Sequence, residues 1–315
     1  MSRLGISLLI PTMNRPNSLA ETLASYMSGS VKPSQIIVVD QSTSTAIREE
    51  NKSILLQYRN QANVRIEFLN RPSSTAARNV ALQFAEGELL IFSDDDVSVP
   101  DMALANVSRI MQDDRIALIA GLDKNTLEQK GKCHLLSYLV GTRSFRKRKQ
   151  GHISKALLGR YPVVPSGAMV ESEWAMGYFF VVRKSLLSQS GIKWDEKLLS
   201  YAYAEDLDFS SRYCDYVKGL GKRCVLTDQV IVDHRASKEY RIPSDKQLDM
   251  YVGHRLYLHH KLRKGSLLSI SFVNHCMLLY FYLRKGNYRG MYSAIKTAKK
   301  HKSEIKKGDF SCFGF

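Results

Sequence analysis

Short apolar runs alternate with stretches of helical period throughout the first 120 residues, and few architectures accommodate that rhythm. LGISLLI (4–10) reads as a buried strand. A helix follows from Pro16 to Ser28, with proline in its first turn, where the missing N–H costs nothing. QIIVVD (35–40) is a second strand, 44–58 is helical, and VRIEFL (64–69) is a third strand. STAARNVALQFA (74–85) reads as a helix behind Ser/Thr caps, and ELLIFS (88–93) as a strand running straight into Asp94, Asp95 and Asp96. A helix from Pro100 to Met111 and the strand RIALIAG continue the pattern. This β-α-β-α order predicts an α/β fold: a doubly wound, mostly parallel sheet with helices on both faces. Ligands of such sheets bind outside the carboxyl ends of the strands, where Pro11–Arg15, Asp40 and Asp94–Asp96 all fall.

The rhythm breaks over 121–172. This stretch holds an apolar helix candidate (133–141), a basic run (Arg143, Arg146, Lys147, Arg148, Lys149) and the loop-like PVVPSG, and it reads as a flap or insertion. Order returns with AMGYFFVV (175–182) as a strand, a helix near 184–190, and AEDLDFSSRYCDYVKGLG (204–221) as an amphipathic helix stopped by Gly219 and Gly221. VLTDQVIVDH (225–234) reads as one or two strands ending on Asp233 and His234. From 244 onward two or three helices are expected. The apolar run 267–283 holds Ser, Asn and His, and at 17 residues it is marginal as a membrane span.

With 44% hydrophobic residues and only 19 Gly and 8 Pro in 315, a collagen-like or broadly disordered chain is excluded. The five cysteines form no CxxC pair and are odd in number, which fits a reducing compartment and neither a disulfide scaffold nor a zinc module. The N-terminal apolar run is short and meets Pro and Asn, so no signal peptide is read and a cytoplasmic protein is expected. The net charge of +16 is a local feature. Between Arg241 and Lys307 stand 15 Lys/Arg against 3 acids, a local charge of +12, which points to an anionic surface or polymer and says little about the main domain.

Three adjacent carboxylates repel one another in a plain loop, and a hard divalent cation such as Mg²⁺ or Mn²⁺ resolves that repulsion. The plainer reading of Asp94–Asp96 is an acidic cluster facing the macrodipole of the next helix. Glu205 and Asp206 open a helix, where a carboxylate either compensates the dipole or serves as a general base. His234 is a third metal ligand or a surface histidine; Arg78 pairs with phosphates or snorkels from its helix; Asp40 contacts a base or ribose or caps the next turn.

The order PTMNRPxSL, IIVVDQS, AARNVALQFAEGELLIFSDDDV, WDEKLLSYAYAEDLDFSSR and VDH resembles the family-2 glycosyltransferases of the GT-A fold over roughly residues 4–236. That family moves a sugar from a nucleotide diphosphate donor to an acceptor hydroxyl with inversion at the anomeric carbon. The resemblance implies that Pro11, Thr12 and Asn14 form the first-strand nucleotide segment, Asp40 contacts the base, and Arg78 lies near the nucleotide. It implies that Asp94–Asp96 are the DXD-type motif, with Asp95 by the ribose and the metal, Asp96 ligating the metal, Mg²⁺ or Mn²⁺, directly, and His234 completing the shell. Asp206 matches the catalytic base, with Glu205 beside it. Met13 stands where many relatives carry an aromatic residue that stacks on the base. The implied organisation is a catalytic domain, 1–240, whose first half (1–120) binds the nucleotide sugar and whose second half (121–240) sees the acceptor, followed by a basic helical extension, 241–315.

Trp174, Tyr178, Trp194, Tyr201 and Tyr203 are candidates for stacking on acceptor sugars or, equally, for packing the core. The tail mixes Leu267, Leu268, Ile270, Phe272, Leu279, Tyr280, Phe281 and Leu283 with clustered Lys/Arg, either as basic helices that lie on anionic membranes or as a helical hairpin that packs on the catalytic domain with its polar face in water. The expected partners are therefore a nucleotide-sugar donor, a glycan or lipid-linked sugar acceptor of cell-surface polysaccharide synthesis, and an anionic membrane at the inner face of the plasma membrane. Two alternatives compete. A nucleotidyltransferase would carry a glycine-rich phosphate loop where this chain has PTMNRP. A basic nucleic-acid binder would not place three acids at its ligand edge, and no nucleic acid is expected.

Overall fold

A computed structural model describes residues 4–125, 151–160, 169–198, 203–237 and 243–315. The basic run 143–149, the helix candidate 133–141, PVVPSG and Tyr201 lie outside the described residues. The first half follows the expected winding: β1 (Ile6–Thr12), α1 (Pro16–Ser28), β2 (Gln35–Asp40), α2 (Thr45–Leu56), β3 (Asn63–Phe68), α3 (Ser74–Phe84) and β4 (Leu89–Ser93). These four strands are parallel in the order β3-β2-β1-β4, in register at Thr12↔Asp40 and Asp40↔Phe68. Every residue of β2 and β4 is buried, as expected of a parallel sheet covered on both faces. The turn into β4 passes so close to β1 that a Cβ on Gly87 would stand 2.7 Å from Gly5 O and Ser7 N.

Beyond β4 the direction of the sheet changes. After β5 (Val97–Ser98) and α4 (Ala103–Ile110) come β6 (Ile116–Asp123), β7 (Val170–Glu171), β8 (Phe179–Arg183) and β9 (Arg223–His234). β8 lies between β4 and β6 and runs antiparallel to both, whereas β9 runs parallel to β6. The expected strand 175–182 therefore begins four residues later, at Phe179. β5 pairs with the end of β9, Val97 opposite His234, which draws the segment after β4 onto the carboxyl end of β9. Phe92 of β4 and Phe180 of β8 stack at 4.9 Å. Trp194 stacks on Phe209 at 4.2 Å, closing the core over this junction.

Helices α5 (Lys184–Ser190) and α6 (Glu205–Gly219) flank the second half. The tail holds four α-helices rather than two or three: α7 (Ser244–Leu262), α8 (Leu267–Leu283), α9 (Tyr288–Lys300) and α10 (Lys302–Lys306). They build a second core, in which Val252, Leu258, Met291, Ala294 and Phe310 meet Leu157, Leu198 and Leu207 from the rest of the chain. Lys261 of α7 reaches Asp195 (2.6 Å) and Asp208 of α6 (2.8 Å), and Asp208 is fully buried. No helix among the described residues is long and apolar enough to cross a membrane.

Candidate active site

The three acids after β4 separate by direction. Asp95 turns inward: Thr12 Oγ1 donates to its Oδ2 at 2.7 Å, and Arg15 pairs with its Oδ1 at 3.0 Å. Asp94 and Asp96 flank it in the turn between β4 and β5, and Arg15 also reaches Asp96 at 3.5 Å. There they meet His234, and one ligand atom from each of the three lies within 4.8 Å of the others. The β5–β9 pairing makes this meeting possible, since it seats His234 directly opposite the residue after Asp96. His234 is fixed from two sides: its ring stacks on Tyr178 at 5.0 Å, and its backbone N–H donates to Asp123 at 3.1 Å.

The electrostatics of the triplet follow from these partners. Burial pushes Asp95 up to about 7, against the pull of Arg15 and the Thr12 hydroxyl. Burial also disfavours ionised Asp96, but His234, the Ser237 N–H (2.8 Å) and Arg15 outweigh it and hold that carboxyl below its usual range. Burial lowers His234, yet the contact with Asp96 and the charge of Asp94 win, and the imidazole is raised. Asp96 Oδ1 sits 3.3 Å from His234 Nε2, is buried, and accepts no hydrogen bond among the described residues. An acceptor left open between a carboxylate and an imidazole suits a divalent ion with O and N ligands, so the donor set fits Mn²⁺ or Mg²⁺.

Arg78 links this cluster to the acids of α6. It is buried, with its guanidinium 4.6 Å above Trp194, and it pairs with Asp94 (2.8 Å) and Glu205 (3.0 Å). One guanidinium thus serves two carboxylates, with Asp206 adjacent as a third. Burial and the Asp206 charge raise Glu205 to about 8 despite Arg78. Asp206 is raised by burial, while the Gly177 and Leu207 N–H groups (2.9 and 2.7 Å) orient its two oxygens. The residue before the pair, Ala204, caps α6 in the left-handed region at φ 65°, which turns the chain sharply into the helix.

Pro11, Thr12, Met13, Arg78, Asp94, Asp95 and Glu205 line one cleft. Asp40 does not line it: the carboxylate is fully buried and accepts the Ser42 N–H at 2.7 Å and the Asn51 side chain at 2.9 Å, capping the turn. Gln41 forms the wall at that point instead. Asn14, at φ 55°, is also spent on the loop, donating its N–H to Ser42 Oγ at 2.8 Å. Of the aromatic candidates, Trp174, Tyr178 and Trp194 are buried in the core, and Tyr203 packs against Tyr251. Sequence reasoning placed Arg15 at the ligand edge without giving it a role and missed Asp123, an acid at the end of β6, where ligand-side residues collect.

The glycosyl transferase family 2 profile matches residues 7–162. No curated protein matches the sequence. Among solved structures, the mannosyltransferase PcManGT of Pyrobaculum calidifontis, in complex with GDP-Man and Mn²⁺, aligns with all of this chain and 87% of its own at TM-score 0.57 and 13% identity. TarS 1–349 of S. aureus aligns with 98% of this chain and 89% of its own at TM-score 0.51 and 17% identity. GalNAc-T7, with UDP, GalNAc and Mn²⁺, aligns with 97% of this chain and 58% of its own at TM-score 0.56 and 14% identity. At these identities the likeness is one of fold, and the fold shared is GT-A.

Proposed function

Because the chain belongs to glycosyl transferase family 2, we propose that it is a metal-dependent, inverting enzyme. It would transfer a sugar from a nucleotide diphosphate to a hydroxyl of a growing cell-surface polysaccharide or lipid-linked sugar. The observation that carries the reading is the meeting of Asp94, Asp96 and His234 beside the same cleft that Thr12, Met13 and Glu205 line. In this reading Asp96 and His234 hold Mn²⁺ or Mg²⁺, with Asp94 as the third ligand, and the ion would stabilise the charge of the departing nucleoside diphosphate. Pro11, Thr12 and Met13 form the nucleotide wall, and Asp95 ties that wall to the ligand triplet through Thr12 and Arg15.

Asp206 is the base that takes the acceptor proton. Two backbone N–H groups fix its carboxylate and leave lone pairs free to receive it, and burial raises its affinity for a proton. Glu205 and Arg78 bridge the base to the ligand triplet and keep the two at a set separation. Inversion needs attack from the face opposite the leaving group, which is why base and ion must lie on different elements.

Calorimetric titration of UDP, GDP, dTDP and CMP, with and without Mn²⁺, tests the donor site. One nucleoside diphosphate should bind only with the ion, and Asp96→Ala should abolish that binding. Metal-independent binding of equal strength in the variant would refute the ligand assignment. Asp206→Asn should cut turnover about 10²–10⁴-fold while donor binding survives. Near-normal turnover in that variant would remove Asp206 from the base role.

A further inference from the structure

Helix α8 carries apolar side chains around most of its circumference, broken by Ser269, Ser271, Asn274 and His275, and such a helix needs cover on more than one side. The protein covers one side only: Ile270, Val273 and Asn274 are buried, while Leu268 (84% exposed), Phe272, Leu279, Tyr282 and Leu283 stand open. The steps from Leu268 to Phe272, Leu279 and Leu283 keep these side chains on one stripe of the helix. Among the described residues, ten large apolar side chains are exposed, and six of them lie between 268 and 292. Their concentration marks a surface built to be covered.

Cations border the stripe. Leu279 and Tyr282 share a groove of about 480 Å³ with Arg289 and Tyr292 of α9. α9 buries Met291, Ala294 and Ala298 and turns Arg289, Lys296, Lys299 and Lys300 to solvent; Arg284 and Lys285 follow the end of α8. None of these cations is in an ion pair among the described residues, and no Asp or Glu occurs from Met250 to Ser303. A second copy on this face would set cation against cation, with Asp245, beside Gly290 at the start of α9, as the acid the contacts place against that helix. The charge instead complements an anionic layer, and the leucines demand an apolar one beneath it.

We propose that α8 and α9 form a membrane-docking face: α8 lies in the plane of the interface with its open stripe among the acyl chains, and the α9 cations contact anionic phospholipid headgroups. At 17 residues, with polar groups along it, α8 is suited to lie in the interface and not to cross it. This face stands on the character of two helices and not on the sugar-transfer reaction, so either can fail without the other.

Sedimentation of the full chain with vesicles of phosphatidylcholine, or of phosphatidylcholine with 30% phosphatidylglycerol as the probe, tests it. Binding to the anionic vesicles should exceed binding to the neutral ones at least tenfold and should weaken in 0.5 M salt. Arg289→Gln with Lys296→Gln should weaken it about 25-fold, at about fivefold per cation. Leu279→Asp should weaken it more than tenfold, with circular dichroism and melting temperature unchanged because the site is already exposed. Equal binding to both vesicles, no binding to either, or full binding by the Leu279→Asp chain would overturn the proposal. So would dimers in light scattering that Leu279→Asp dissolves, since the face would then belong to a second copy.

Discussion

A single guanidinium cannot neutralise Asp94, Glu205 and Asp206 together, so without a bound cation the folded protein should keep a proton on this group near neutral pH. Glu205 carries the effect most directly, with a side chain only 13% exposed and a carboxyl raised from 4.5 to about 8. Its folded value lies above its unfolded one, so its favourable contribution is complete below pH 4.5 and fades as pH rises through about 8. Between pH 6 and 8 the unfolded chain has released this proton and the folded chain holds it, and each pH unit then costs about 1.4 kcal/mol. Over that window the loss is about 2–3 kcal/mol. An unfolding entropy of about 2 cal/mol/K per residue over this chain length converts it to a fall of about 4 °C in Tm. Scanning calorimetry in EDTA from pH 6 to 8, on the parent protein and on Glu205→Gln, isolates the effect, because the other titrating groups are largely common to both. The parent Tm should fall about 4 °C further than that of the variant. Parallel curves would show Glu205 ionised throughout, and the argument that Arg78 is overcommitted would be wrong.

Two structural predictions accompany this one. Lys261→Met removes the amine that joins Asp195 to the fully buried Asp208 and leaves Arg212 as the remaining cation on Asp208, so urea unfolding should show a loss of about 2–4 kcal/mol. Gly87→Ala forces a methyl to within 2.7 Å of the β1 backbone, which cannot yield as a side chain does, and the same assay should show a loss of about 1–3 kcal/mol.

The parallel half of the sheet was legible because each of its strands is an apolar run closed by turn residues and followed by a helix. Ile6–Thr12, Gln35–Asp40 and Leu89–Ser93 all lie within a few residues of where periodicity puts them. The insertion of β8 was not legible, since FFVVR carries no mark of direction and pairs with β4 and β6 across long stretches of chain. That the tail packs on the main domain was one of two readings, but its partners Leu157, Leu198 and Leu207 could not be named, because helical periods are local and this packing is not. At the site, the residue types and their place at strand ends could be read. The partners that sort Asp95 from Asp94 and Asp96 could not, because three identical side chains in a row carry no label.

In the proposed metal site, that sorting gives the third acid a task of its own. A ligand pair on a loop is useful only when the loop is held, and the segment after β4 has no long strand to hold it, since β5 is two residues long. Asp95 supplies the missing anchor by turning back to Thr12 and Arg15 at the end of β1. The Thr22 hydroxyl adds a second hold on the same turn, donating to Asp95 O at 2.7 Å and accepting the Val97 N–H at 3.1 Å. The raised proton affinity of Asp95 is the cost of its burial, and Arg15, within 3.5 Å of Asp96 as well as bonded to Asp95, keeps the cost bearable. The three acids are thus tied together through Arg15 and the turn, with β1 at one end and His234 on β9 at the other.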